Sequence, residues 1–120
     1  MAKDMQIAFL LDFYGEMLTE KQRELTELYY DQDLSLGEIA DEYHISRQGV
    51  RDNIKRAEAS LLEFEEKLGL VKRFQALEPA IDRIVAQAEE ITRLLGDYPE
   101  NRQAVLRAEE IIRTARQLRE

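Results

Sequence analysis

The stretch LSLGEIADEYHISRQGV, residues 34–50, narrows the fold more than any other part of the chain. Ser35 followed by Glu38 is a capping box, and Leu34 with Ile39 can close a hydrophobic staple over it. Ser46 is a second N-cap, and Ile45 with Val50 repeats the staple. Between the two starts there is room only for a short helix and a tight turn near His44. Ala40 is small where two helices would approach. Ile39, Tyr43, Ile45, Val50 and Ile54 are apolar where such a pair would pack. These offsets are those of a helix-turn-helix. His44 stands where Gly would relieve a left-handed backbone, and His tolerates that conformation less well than Gly or Asn.

The remaining pattern is helical throughout. Residues 4–18 place Ile7, Leu10, Leu11, Tyr14, Met17 and Leu18 at helical steps. Thr19 and Gln22 form another capping box, which predicts a helix to about Tyr30, and DQDLS then breaks the pattern. From Ser46 the apolar steps run through Val50, Ile54, Ala57, Leu61, Leu62 and Phe64 to Leu68, where Gly69 ends or interrupts them. Residues 71–95 continue at three- and four-residue steps with Pro79 inside. That proline marks either a fresh helix starting near Leu77 or a kink in a longer one; the fresh start is favoured. Gly96 suits a helix C′ position, Pro99 suits the first turn of the next helix, and a final helix covers about 100–118. Helix formers dominate, with 2 Pro and 5 Gly in 120 residues, and no segment reads as a strand.

With Val50, Ile54 and Ala57 turned inward, Arg47, Gln48, Arg51 and Lys55 project outward, and Arg56 adjoins them. Gln can pair with adenine edges, and Arg with guanine edges or phosphates. Ser46 and the free N–H groups of the first turn can meet a phosphate. Nucleic-acid contact by these six residues is therefore the first reading. A merely solvated basic face and a helix-turn-helix used for protein contact are the alternatives.

Charge sets a condition on that reading. The formal net charge is −8. Residues 1–69 hold 8 Lys and Arg against 16 Asp and Glu, and residues 70–120 hold 9 of each. All the net acidity lies in the half with the basic helix, which opposes indiscriminate binding to polyanions. There is no Cys and one His, so a usual zinc site is excluded and His44 reads as a turn residue. No cofactor is implied. No Gly-rich phosphate loop, Ser-His-Asp set or Cys nucleophile is present, so an enzyme is not expected. Phe9, Phe13, Tyr14, Tyr29, Tyr30 and Tyr43 read as core. The acid pairs Glu65–Glu66 and Glu89–Glu90 read as solvated faces. No signal peptide or membrane span is legible, which predicts a soluble cytoplasmic protein with no membrane partner.

At TEKQRELTELYY, SLGEIADEY and ISRQGVRDNIKRAEASLLEFEEKL the chain resembles the bacterial YlxM/p13-like family. The resemblance is close over roughly residues 7–70 and loose beyond. That family is small, all-helical and related to the DNA-binding region 4 of sigma factors. It implies a recognition-helix role for Arg47, Gln48, Arg51 and Lys55. It also implies a DNA-binding regulator of the signal recognition particle pathway, or an accessory factor that binds that particle's protein or RNA. Gly49 departs from the Ala expected there, which weakens the helix slightly.

The expectation is an all-α protein: a helical domain over residues 1–69, with a sigma-region-4-like helix-turn-helix at 35–57, of the winged-helix-like DNA-binding class without a wing. Two C-terminal helices form an extension over residues 70–120. Their apolar stripes exceed what a small helix-turn-helix core needs. They either pack back on their own domain or pair two copies into a homodimer, which would set two recognition helices on DNA half-sites.

Overall fold

The computed structural model describes residues 2–119, and among them the chain is helical with no strand. Helix α1 spans Met5–Tyr14 and runs into a 3₁₀ turn at Gly15–Met17. Helix α2 spans Glu20–Tyr30, α3 Leu36–Tyr43, α4 Arg47–Leu68, α5 Leu70–Leu95 and α6 Arg102–Gln117. The N-caps fall where the sequence places them. Thr19 and Gln22 form a reciprocal capping box, as do Ser35 and Glu38. The Ser46 hydroxyl accepts the Gly49 N–H at 2.9 Å. Each such cap satisfies donors that the first helical turn would otherwise leave open, at about 1 kcal/mol apiece.

The chain divides into two compact units, one ending at Val71 and the other beginning at Lys72. In the first, α4 lies at the centre of two apolar cores. Its early residues Val50 and Ile54 pack with Leu25, Tyr29, Ile39 and Ala40 from α2 and α3. Its later residues Ala57 and Leu61 pack with Ile7, Leu10, Leu11 and Tyr14 from α1. Leu34 and Ile45, the two staple residues, pack on the edge of the α2–α3 core. Tyr30 packs against both clusters.

Three tyrosine hydroxyls join these helices through glutamates. Tyr14 donates to Glu65 at 2.6 Å, Tyr30 to Glu58 at 2.8 Å and Tyr43 to Glu24 at 3.1 Å. Burial, and then the hydrogen bond to a carboxylate, raise each phenol above the ordinary tyrosine range. Glu65 is therefore half-buried, not solvated, and it also accepts the Val71 N–H at 3.0 Å while Tyr14 accepts the Leu70 N–H at 3.1 Å. Two open N–H groups at the start of α5 are thus capped by α1 and α4 side chains. Phe9 and Phe13 also differ from expectation: they are 50% and 38% exposed. Ile7, Leu10, Leu11 and Tyr14 already fill the inward arc of α1, which leaves these two outside.

In the second unit, Ile81, Ala88, Ala108 and Ala115 are buried. Gly96 turns with φ 63°, and the Asn101 side chain caps the Leu95 carbonyl at 2.8 Å. Pro99 opens a 3₁₀ turn at Pro99–Asn101 ahead of α6. The fresh start near Leu77 is not found: α5 runs through Pro79 without interruption. A proline inside a helix removes one backbone hydrogen bond and costs about 3 kcal/mol. Residues 72–79 are all exposed, so water can reach the carbonyl that loses its partner. Arg119 pairs with Glu78 at 3.5 Å and with Asp82, bracketing the proline.

Candidate nucleic-acid interface

The turn between α3 and α4 is built as a helix-turn-helix demands. His44 adopts the left-handed conformation, φ 56° and ψ 42°, and its N–H closes on the Ala40 carbonyl. The Ile45 N–H bonds the same carbonyl at 3.1 Å. Only one residue then separates Ile45 from Arg47, the first residue of α4, and that residue is the cap Ser46. Ala40, 5% exposed, sits where the close approach needs a small side chain.

Val50, Ile54, Ala57 and Leu61 are fully buried and fix the rotation of α4. Ser46, Arg47, Gln48, Arg51, Lys55 and Arg56 all come out exposed. They do not form one uniform patch. At about 100° per residue, Arg47, Arg51 and Lys55 spread over roughly 80° of the helix with Gln48 just beyond, while Arg56 lies about another 100° round. The first four share a face, and Arg56 flanks it.

The neighbours of each side chain differ. The Arg47 guanidinium lies over Gly37 in the first turn of α3, so close that a methyl group there would come within 3.0 Å of Nε. The Gln48 amide donates to Asp52 at 2.8 Å, leaving its carbonyl oxygen open. Lys55 lies 3.4 Å from Glu58, the carboxylate that also holds Tyr30. No ion pair of Arg51 or Arg56 occurs among the described residues. The basic face is thus narrow: acids temper Gln48 and Lys55, and Arg51 at its centre is open. Gly49 is accounted for by its surroundings, since a Cβ would sit 3.2 Å from the Ser46 hydroxyl that caps the helix.

A cleft of about 550 Å³ opens beside this face, lined in part by Lys3, Ser35, Gly37 and Arg47. Lys3 pairs there with Asp33 and stands 4.6 Å from the Tyr29 ring centre. Sequence reasoning missed Lys3 and Gly37 at this edge. The glycine in SLGE is the one signal that could have indicated a close approach. Nothing local links Lys3 to a helix thirty residues on. Among the described residues, no group of three or more His, Cys, Asp or Glu could hold a metal ion, and no helix is long and apolar enough to cross a membrane.

Comparison with known proteins bears on this geometry. A family model described as "Putative helix-turn-helix protein, YlxM / p13 like" matches residues 1–98. A UPF0122 protein of Thermoanaerobacter sp. (strain X514) is 59% identical over 78 residues, 65% of this chain and 67% of that protein. One of Halalkalibacterium halodurans is 50% identical over 100 residues, 78% of this chain and 91% of that protein. One of Bacillus cereus (strain AH187) is 51% identical over 89 residues, 74% and 77% of the two chains.

Proposed function

The chain belongs to the YlxM/p13-like helix-turn-helix family, and from that premise we propose that it is a cytoplasmic, non-enzymatic regulator that binds duplex DNA. In this reading α4 enters the major groove as a sigma-region-4-like recognition helix. Gln48 and Arg51 face base edges, Arg47 and Lys55 face phosphates, Ser46 and the first-turn N–H groups receive a backbone phosphate, and Arg56 flanks the groove. The observation that carries it is the open guanidinium of Arg51 at the centre of an exposed basic face, on a helix whose rotation is locked by four buried apolar residues.

The test is equilibrium binding of the best available duplex across a salt series. A contact set of about three to four phosphates gives a log–log salt slope near −3. Arg47→Ala with Arg51→Ala should lower that slope by about 1, for the phosphate contact of Arg47, and weaken binding at every salt concentration through the lost base contact of Arg51. Unchanged affinity in the double variant would remove the reading.

A second reading has its own support. Asp52 and Glu58 occupy Gln48 and Lys55, and the surrounding 69 residues carry the whole net charge of −8. Both features oppose a long polyanionic duplex and suit a partner of mixed charge. The family resemblance points to the signal recognition particle pathway, so the candidate partners are that particle's protein or RNA. Duplex DNA, particle RNA and particle protein offered in parallel at equal salt separate the two: selective duplex binding supports the first reading, and binding only to the particle's components supports the second.

In the first reading the second unit pairs two copies. Ile84, Ile111 and Leu118 line an apolar groove of about 410 Å³ on α5 and α6, in the stretch where positive and negative charges are equal in number. A dimer would place two recognition helices on half-sites about 34 Å apart. Sedimentation that shows a monomer at micromolar concentration would exclude the pairing.

A further inference from the structure

Helix α1 is apolar on both sides. Its inward arc is filled by Ile7, Leu10, Leu11 and Tyr14. On the outward arc Met5 is 72% exposed and Phe9 50%, and Met17 in the following 3₁₀ turn is 55% exposed. These residues recur every four positions, with Phe13 between them, its ring tilted at 49° to that of Tyr14 with centres 6.4 Å apart. A surface helix normally turns polar residues outward, and a continuous apolar stripe of flexible Met and rigid Phe marks a contact surface.

Beside the stripe lies an acidic cleft of about 430 Å³, lined by Asp12, Glu16, Glu27 and Asp31 with Arg23 as the lone cation. Arg23 Nε forms an ion pair with Glu27 at 3.6 Å, beyond hydrogen-bond range, and no ion pair of Asp12, Glu16 or Asp31 occurs among the described residues. Burial, and then the charge of Asp12, raise the Asp31 carboxyl above its ordinary range. An added cation in this cleft would relieve that crowding.

We propose that the outer face of α1 and the acidic cleft beside it dock a basic amphipathic helix of a partner protein. Its apolar side would lie along Met5, Phe9 and Met17, and a Lys or Arg would enter the cleft between Asp12 and Asp31. Charge decides the occupant. A second copy placed face to face would bring Asp12 and Glu16 against the same acids of its twin, within units that are strongly acidic, and like charges at close range oppose association. A basic helix satisfies both the stripe and the cleft. The site lies on α1, the 3₁₀ turn after it, and α2 with its C-cap Asp31; it contains no α4 residue and does not depend on the DNA reading.

The test uses the full chain and two labelled 18-residue helical peptides, one of Leu and Lys and one of Leu and Glu in the same amphipathic order, followed by fluorescence anisotropy. The Leu/Lys peptide should bind and the Leu/Glu peptide should not. Phe9→Gln, which leaves charge unchanged at an exposed position, should weaken Leu/Lys binding by about tenfold or more. Asp12→Asn with Asp31→Asn should weaken it and flatten its salt dependence. Leu94→Gln, at a 68% exposed position of the second unit, should leave it unchanged. Equal binding of the two peptides, equal loss in Phe9→Gln and Leu94→Gln, or a concentration-dependent self-association abolished by Phe9→Gln would each overturn the proposal. The last result would assign the face to a second copy.

Discussion

Tyr30→Phe is the most informative single change in the first unit. Tyr30 packs against both cores, and its hydroxyl donates to Glu58 at 2.8 Å. The Glu58 side chain is 13% exposed, so its carboxylate has little water to replace the lost donor. A hydrogen bond to a charged group is worth about 1.5–3 kcal/mol; with Tyr30 only half-buried, a loss of about 1–2 kcal/mol is expected. In a chain of this length that lowers Tm by about 4–8 °C. Near-UV circular dichroism in urea is the assay, because four of the five tyrosines lie in the first unit and there is no Trp. The attribution needs a double-mutant cycle with Glu58→Ala, which also removes the Lys55 pair and so corrects for it. A coupling energy near 1–2 kcal/mol is expected, and additivity within about 0.3 kcal/mol would refute the bond's role. The pH profile gives a second check. Tyr30 is held above its ordinary value of 10.0, first by burial and then by the Glu58 hydrogen bond. The unfolded chain therefore releases this proton first as pH rises, so the contribution is full below pH 10 and declines above it. Tyr30→Phe should unfold less steeply above pH 10 than the parent.

His44→Gly should stabilise the first unit by about 0.5–1 kcal/mol, because φ 56° strains a side-chain-bearing residue and glycine meets no such penalty; urea midpoints decide it. Gly37→Ala should stabilise α3 by up to about 1 kcal/mol while displacing the flexible Arg47 guanidinium, now 3.0–3.2 Å from the new methyl position. Gly37→Ala should therefore raise Tm yet alter any binding that depends on Arg47. Pro79→Ala should restore a helical hydrogen bond and stabilise the second unit by up to about 3 kcal/mol, read as slower amide exchange around residue 79.

Much of the fold is legible locally, because capping boxes and turns act over three or four residues. Thr19, Ser35, Ser46, His44, Gly69 and Gly96 all act where their chemistry places them. The exposure of Ser46, Arg47, Gln48, Arg51, Lys55 and Arg56 follows from the same periodicity that buries Val50, Ile54 and Ala57. Pro79 is the failure of that local logic: the penalty is real, but exposure of residues 72–79 to water makes it bearable.

The sequence alone determines where α2, α3 and α4 start, how α3 turns into α4 and which residues α4 presents, since these depend on hydrogen bonds and side-chain steps within one or two turns of chain. Only the tertiary structure decides how open that face is. Glu58 reaches Lys55 while it holds Tyr30 of α2, and Arg47 folds over Gly37 of α3. The same holds for Glu65, drawn inward by Tyr14 from fifty-one residues away, and for Phe9, left outside because its neighbours fill the core first. Contacts between residues far apart in sequence depend on how helices pack, and packing competes for space that no local pattern records.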